Sequence, residues 1–118
     1  MVEGKIKLTK TMLEKSIIDA NGSVRQLSKE LLGIDYAKMK CGEKHKVDAV
    51  IWLSGRSYLE VESEVRFYRA NNARGDRRIS IKNIRKNFQV GDTLILTVKD
   101  DVVVIDRYMN ETRFTLKV

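Results

Sequence analysis

The stretch RISIKNIRKNFQVGDTLIL, residues 78–96, has the most regular pattern in this chain of 118 residues. Its first residues, 78–81, alternate apolar and polar side chains, which predicts a short strand. Apolar side chains then recur at helical spacing within 82–88, which predicts a short helix. A glycine turn at 90–92 leads into an apolar run at 93–98, which predicts the next strand. The stretch therefore predicts a strand, a short helix, a turn and a strand in that order.

Strands also predominate on both sides of this stretch. Residues 5–8 form a short mixed stretch. We predict further strands over residues 12–19, 47–53, 58–68, 102–106 and 112–118, and turns over residues 54–57 and 99–101. A helix of about ten residues is expected from Ser23, which fits a capping box with Gln26, to a C-cap at Gly33. Residues 37–46 are predicted to form a basic loop. The pattern predicts a mainly β fold with about seven strands and two short helices, as a barrel or a sandwich.

Length and composition predict a single globular domain over residues 1–118. Hydrophobic residues make up 42% and charged residues 33% of the chain, a balance that excludes an intrinsically disordered protein. No apolar run is long enough to span a membrane, and the first residues lack the pattern of a signal peptide. Cys41 is the only cysteine, so no internal disulfide can form and we expect a cytoplasmic protein.

The positive charge of the chain is concentrated in residues 66–86. This basic segment holds 8 of the 23 basic residues and 1 of the 16 acids, whereas the rest of the chain has fifteen of each. The whole net charge of +7 therefore lies in this segment. A concentrated basic segment on an otherwise balanced domain predicts a polyanionic partner such as a nucleic acid. The alternative is a solvated basic face that only aids solubility.

The centre of the basic segment is RANNARGDRR, residues 69–78, which we call the arginine loop. It contains four arginines and two asparagines but no lysine. Arginine can bind phosphate or guanine through two hydrogen bonds, and asparagine can bind adenine in the same way, so this composition favours oriented hydrogen bonding over charge alone. Asp76 could fix a neighbouring arginine or accept a hydrogen bond from a cytosine amino group. We interpret the adhesion tripeptide 74–76 as a coincidence, because we expect a cytoplasmic protein.

No residue pattern in the chain predicts catalysis. His45 is the only histidine, and a zinc site built on His45 and Cys41 would lack two further ligands. Glu60, Glu62 and Glu64 share one face of a predicted strand and could hold a divalent cation, but a solvated face is the simpler interpretation. The glycines do not form a phosphate-cradling motif. We therefore expect no enzymatic activity, no metal and no cofactor in this chain.

The order of the predicted elements and the stretch QVGDTLIL, residues 89–96, resemble the DNA-binding pseudobarrel. This is the fold of plant B3 transcription-factor domains and of the effector or target-recognition domains of some restriction enzymes. Residues 79–81, 83–84 and 87–88 also carry the resemblance, although the chain lacks the tryptophan of the family's helix and is shorter before the turn. The resemblance implies a seven-stranded open pseudobarrel that holds duplex DNA in a cleft, with two arms in the major groove.

The resemblance also implies which residues bind DNA. One arm would be the arginine loop, and the other would come from the N-terminal half of the chain. The candidate DNA-binding residues are Lys10, Asn21, Lys38, Lys40, Lys44, Arg69, Asn71, Asn72, Arg74, Arg77, Arg78, Lys82 and Lys86. Because bacterial members are usually modules of restriction systems, we expect the N-terminal target-recognition module of a longer restriction protein. Its expected partners are duplex DNA and other domains of that protein, and no membrane.

The sequence leaves three other interpretations open. Residues 77–106 also resemble the swapped-hairpin regulators of the AbrB and SpoVT class, which bind DNA as dimers, although those units usually contain a proline and this chain has none. An RNA-binding barrel could use the same basic surface. A protein-interaction domain could present that surface to an acidic partner.

Overall fold

The computed structural model describes residues 2–52 and 60–108 of the chain. The strands are β1 (Gly4–Lys7), β2 (Ile18–Asp19), β3 (Lys44–Trp52), β4 (Glu60–Arg69), β5 (Arg77–Ile81), β6 (Thr93–Lys99) and β7 (Val102–Arg107). The helices are α1 (Lys10–Lys15), α2 (Gly22–Leu32) and α3 (Ile84–Asn87), and a single 3-10 turn spans Tyr36–Lys38. No helix in these two ranges is long and apolar enough to cross a membrane.

The seven strands form one sheet in the order β1-β6-β7-β3-β4-β5-β2. Neighbouring strands are antiparallel except β3 and β7, which pair in parallel where Ala49 lies opposite Val103. The sheet curls into an open half-barrel with β1 and β2 at its two edges. This architecture confirms the predicted mainly β, seven-stranded open pseudobarrel.

The core lies on one face of the curled sheet. Side chains alternate between the two faces of a strand, and the inward set of β4 includes Phe67, which is fully buried. Leu94 and Leu96 of β6 are buried in the same way, while α2 packs against β1 and β6 and contributes Val24 and Leu27. Full burial of one such side chain stabilises the fold by about 1.5–3 kcal/mol, so this apolar face holds the sheet in its curled form.

The prediction of a strand over residues 12–19 is wrong for most of its length, because residues 10–15 form α1 and only two later residues form β2. Thr9 begins α1, since its hydroxyl oxygen accepts a hydrogen bond from the Met12 amide at 3.3 Å. Ser16 ends the helix in the left-handed conformation, and Arg85 donates to two carbonyl groups of its last turn. A helix of six residues is unstable in isolation, so these contacts determine the local structure.

Other boundaries also differ from the predictions. The N-cap of α2 is Asn21 rather than Ser23, and β3 begins at Lys44, inside the segment predicted as a loop. The predicted strands at 47–53, 58–68, 78–81, 93–98 and 102–106 and the predicted turn at 99–101 are confirmed to within a few residues wherever the structure describes them. By contrast, β1 forms within the mixed stretch near residues 5–8, where no strand was predicted. The predicted turn at 54–57 and the predicted strand at 112–118 lie outside the described residues.

Candidate nucleic-acid interface

The arginine loop connects β4 to β5 and is organised by one carboxylate. Asp76 Oδ2 accepts hydrogen bonds from the side chains of Asn72 (3.0 Å), Arg74 (3.1 Å) and Arg78 (3.1 Å). In return, the Asp76 amide donates to Asn72 Oδ1 at 3.2 Å, and the Ala70 amide donates to the Asp76 carbonyl at 2.7 Å. The hydrogen bond from Asn72, followed by the charges of the two arginines, lowers the pKa of Asp76 below its usual range although partial desolvation opposes the shift. Asp76 therefore fixes its neighbours, the first of the two roles predicted for it.

The two arginines held by Asp76 differ in exposure. The Arg74 side chain is 81% exposed, whereas the Arg78 side chain is only 20% exposed. A guanidinium group carries five N–H donors, so Arg74 retains donors for a ligand while one nitrogen is held by the carboxylate. The loop thus presents Arg74 outward in a preferred orientation and keeps Arg78 against its base.

Arg69 ties the arginine loop to the segment before β3. Its Nε donates to the Gly75 carbonyl at 3.0 Å, and its Nη1 donates to the Met39 carbonyl at 2.8 Å. The backbone completes the link, because the Gly42 amide donates to the Arg69 carbonyl and the Arg69 amide donates to the Glu43 carbonyl. These bonds give Arg69 a structural role, and its predicted contact with DNA stays a prediction.

Gly75 is required by this arrangement. Its φ of +60° lies in the left-handed region, and a Cβ at this position would lie 2.6 Å from Arg69 Nε. The guanidinium of Arg69 thus occupies the space that any other side chain would need.

The lysines of residues 37–46 lie beside the arginine loop, although the resemblance assigned this segment to the other arm. Lys38, Lys40 and Lys44 are exposed, and Lys44 lies opposite Tyr68 in the β3–β4 pair. In the same segment, His45 Nε2 lies 2.7 Å from Glu43 Oε2, and this hydrogen bond lowers the pKa of Glu43. The structure therefore brings the lysines of residues 37–46 and the arginine loop together into one basic surface.

Two further candidate lysines lie at the opposite end of β5. Lys82 and Lys86 follow β5 and are exposed. Lys10 is on α1, where it pairs with Glu14 at 3.8 Å and its side chain is 78% exposed. A strand rises about 3.3 Å per residue, so Arg77 and Lys82 are roughly 17 Å apart. The candidate residues within the basic segment are therefore divided between two groups, one at each end of β5.

Asn21 makes its hydrogen bonds to α2 and β1 rather than to either of these two groups. Its Oδ1 accepts from the Val24 amide at 3.1 Å and from the Ser23 hydroxyl at 2.7 Å, while its Nδ2 donates to the Lys5 carbonyl at 2.7 Å. The side chain thus caps α2 and ties it to β1, and the predicted DNA contact of Asn21 stays a prediction.

Two basic residues near this surface were absent from the sequence-based candidates. Arg25 and Lys29 lie on α2 and, together with Arg77, line a cavity of about 320 Å³. Their spacing of four residues places them on one face of a helix, and this spacing is the signal in the sequence that could have identified them.

The three glutamates considered as a metal site lie on the outer face of β4. Arg66 Nε donates to Glu64 Oε1 at 3.0 Å, and this hydrogen bond lowers the pKa of Glu64. Within residues 2–52 and 60–108, no three His, Cys, Asp or Glu side chains are grouped so that they could hold a metal ion.

Comparisons with known proteins concern the fold. No protein-family model and no curated protein sequence matches the chain. Among solved structures, the chain is similar to the N-terminal domain of Helicobacter pylori LlaJI.R1, with a TM-score of 0.53 and 14% sequence identity. The match covers 99% of this chain and 96% of that chain. The two proteins therefore share the curled-sheet fold along almost their whole length.

Proposed function

We propose that this protein binds duplex DNA at specific sequences and acts as the target-recognition module of a restriction system, without enzymatic activity of its own. The observation that carries this proposal is the position of the net charge. The basic segment holds the whole net charge, and it includes the arginine loop. Internal hydrogen bonds fix this loop, and Arg74 projects from it into solvent.

The arrangement of the two basic groups fits a duplex. The groups are separated by roughly 17 Å along β5, which exceeds the major-groove width of about 12 Å. A duplex that lies along β5 would let the arginine loop at one end of the strand enter the groove, while the lysines at the opposite end of the strand contact phosphates. Lysine binds phosphate as a point charge, which suits Lys82 and Lys86 to backbone contacts.

Base contacts are assigned to the residues of the arginine loop that keep free hydrogen-bonding groups. Asn72 uses both its Oδ1 and its Nδ2 within the loop, and Arg69 is bound to two carbonyls. Arg74, Asn71 and Arg77 are exposed. We therefore assign base reading to Arg74 and Asn71, with Arg74 as the principal contact, whereas Arg77 lines the cavity beside α2.

Two further observations support a restriction system as the setting. LlaJI.R1, whose N-terminal domain has the same fold, is a restriction-system protein. The resemblance of residues 78–98 to the B3-like pseudobarrel supports the same assignment. In this proposal, any nuclease or motor activity belongs to other domains of the assembly.

Selection of bound sequences from a random duplex pool, at a stated salt concentration, tests the proposal. We expect enrichment of one target site, and no enrichment would reject sequence-specific binding. Competition with duplex RNA and with single strands separates DNA recognition from RNA recognition.

Site assignment is tested by the variant Arg74→Ala. It should weaken binding to the selected target by about 1–3 kcal/mol and relax the preference at one base position. Lys82→Ala should instead weaken all sequences alike. Lys99→Ala is the matched control, because Lys99 is exposed on β6, four strands from β5 and so roughly 19 Å across the sheet. Unchanged preference in Arg74→Ala would reject Arg74 as the base-reading residue.

A further inference from the structure

We propose that the cavity between α2 and β5 is a binding site for a phosphate ester. If the ligand is the backbone of bound DNA, this inference rests on the proposed function and extends the interface beyond the arginine loop. The cavity has a volume of about 320 Å³, and its walls come from α2, the 3-10 turn and the first residue of β5. This volume is within the range of small-ligand sites, roughly 300–1,000 Å³.

Three cationic side chains line the cavity, namely Arg25, Lys29 and Arg77. Within residues 2–52 and 60–108, no acid lies within 4.0 Å of any of the three as a salt-bridge partner. Arg25 Nη1 donates to the Ala20 carbonyl at 3.1 Å, which orients the guanidinium and leaves its other donors for a ligand. The cavity therefore offers several cationic donors whose charge is not neutralised by a neighbouring acid.

The two acids on the cavity wall are engaged in local contacts. Asp35 Oδ1 accepts from the Ala37 amide at 3.0 Å, which starts the 3-10 turn. Glu30 Oε1 accepts from Gln26 Nε2 at 3.4 Å, one turn earlier on α2. Since three cations face two acids, the net charge of the lining is positive, and an anion is favoured over a cation.

The walls of the cavity are held to the base of the arginine loop. The Ala20 amide donates to the Arg77 carbonyl at 3.0 Å, and the Tyr36 hydroxyl donates to the Arg78 carbonyl at 2.7 Å. Burial raises the pKa of Tyr36 well above its ordinary value, so the hydroxyl remains a donor at neutral pH. The cavity is thus a preformed site next to the loop that is proposed to enter a DNA groove.

A phosphate ester suits this combination of groups. Guanidinium forks bind two phosphate oxygens at once, and the lysine ammonium adds a point charge. The same chemistry could come from the backbone of the bound duplex or from a free nucleotide, and two experimental arms separate these sources.

The first arm measures duplex affinity against salt concentration for the wild type, Lys29→Ala and Arg25→Gln, with Lys99→Ala as the control. Each phosphate contact contributes about 0.9 to the slope of log K against log salt, so losing one contact should make the slope shallower by that amount. Target preference should not change, because phosphate contacts carry no sequence information. Lys29 is exposed on a helix where alanine is a good helix former, so Lys29→Ala should keep the fold, as checked by thermal unfolding.

The second arm titrates the protein with a deoxynucleoside monophosphate and follows backbone amide resonances of α2 and of Arg77 by NMR. Saturable shifts that are lost in Lys29→Ala, with unchanged salt slopes, would identify a free phosphate ester as the ligand. Shallower slopes in the first arm would identify the duplex backbone. Unchanged slopes together with no saturable shift would overturn the inference. If the wild type binds no duplex, the proposed function fails, while the second arm still decides whether this site exists.

Discussion

The substitution Gly75→Ala tests whether Arg69 holds the arginine loop in place. The new methyl group would lie 2.6 Å from Arg69 Nε, 2.7 Å from Nη2 and 3.0 Å from Cζ. Because the guanidinium is the end of a flexible side chain, it can move away, but it would then lose its hydrogen bonds to the Gly75 and Met39 carbonyls. The cost is therefore expected in lost hydrogen bonds rather than in steric overlap.

The expected loss in the free energy of unfolding of Gly75→Ala has two parts. An alanine in the left-handed region costs about 1 kcal/mol in backbone strain. Loss of the Arg69 hydrogen bonds should add about 2 kcal/mol, since one bond to a charged group contributes about 1.5–3 kcal/mol and water replaces part of it. With an unfolding entropy of about 2.1 cal/mol/K per residue, the second part alone lowers Tm by roughly 8 °C.

Gly33→Ala is the matched control. Gly33 has a φ of +69°, close to the +60° of Gly75, but no atom lies within 4 Å of the position where its Cβ would be built. We expect Gly33→Ala to cost only the strain of about 1 kcal/mol. Urea unfolding of both variants, each also made in an Arg69→Ala background, measures the difference. Equal losses for Gly33→Ala and Gly75→Ala in the wild-type background would refute the reasoning, as would an unchanged cost of Gly75→Ala when Arg69 is absent.

Two further predictions concern Asp76 and Arg85. The pKa of Asp76 is lower in the folded state than its ordinary value, so the carboxylate should stabilise the fold above the ordinary pKa of an aspartate, near 4, and this contribution should vanish as pH falls through the lowered pKa. Unfolding of Asp76→Asn between pH 2.5 and 7 should show a weaker loss of Tm on acidification than the wild type, and an identical pH dependence would contradict this role. Arg85→Ala removes the side chain that binds the last carbonyls of α1, so hydrogen exchange of the amides in residues 12–16 should become faster. Lys86→Ala is its control, and equal exchange in both variants would show that α1 does not depend on Arg85.

Local patterns of side chains were sufficient to predict most of the sheet. In β4, the apolar residues alternate with charged ones, and this alternation alone identifies which side chains face the core. The β6–β7 turn was also predictable, because Asp100 and Asp101 adopt positive φ angles that aspartate tolerates better than most residues. The pattern failed at residues 12–19, where the helix depends on Arg85, about seventy residues later in the sequence.

The candidate site was predicted in composition but not in arrangement. The concentration of charge identified the arginine loop, and residue type distinguished arginine from lysine. The sequence could not show that Asn72 and Arg69 use their polar groups inside the protein, because the partners of these groups are fixed by the fold. Nor could it place Lys38, Lys40 and Lys44 beside the arginine loop, since that proximity comes from the pairing of β3 with β4.

The sequence by itself therefore determined the mainly β class, the positions of most strands and the segment that holds the net charge, because each of these depends on the order of residues within a short window. Tertiary structure alone decided which arginines face solvent, where the lysines lie relative to β5, and the existence of the cavity lined by Arg25, Lys29 and Arg77. The physical reason is that hydrogen-bond partners and exposure are set by contacts between segments far apart in the chain, and these contacts form only when the sheet curls around its core.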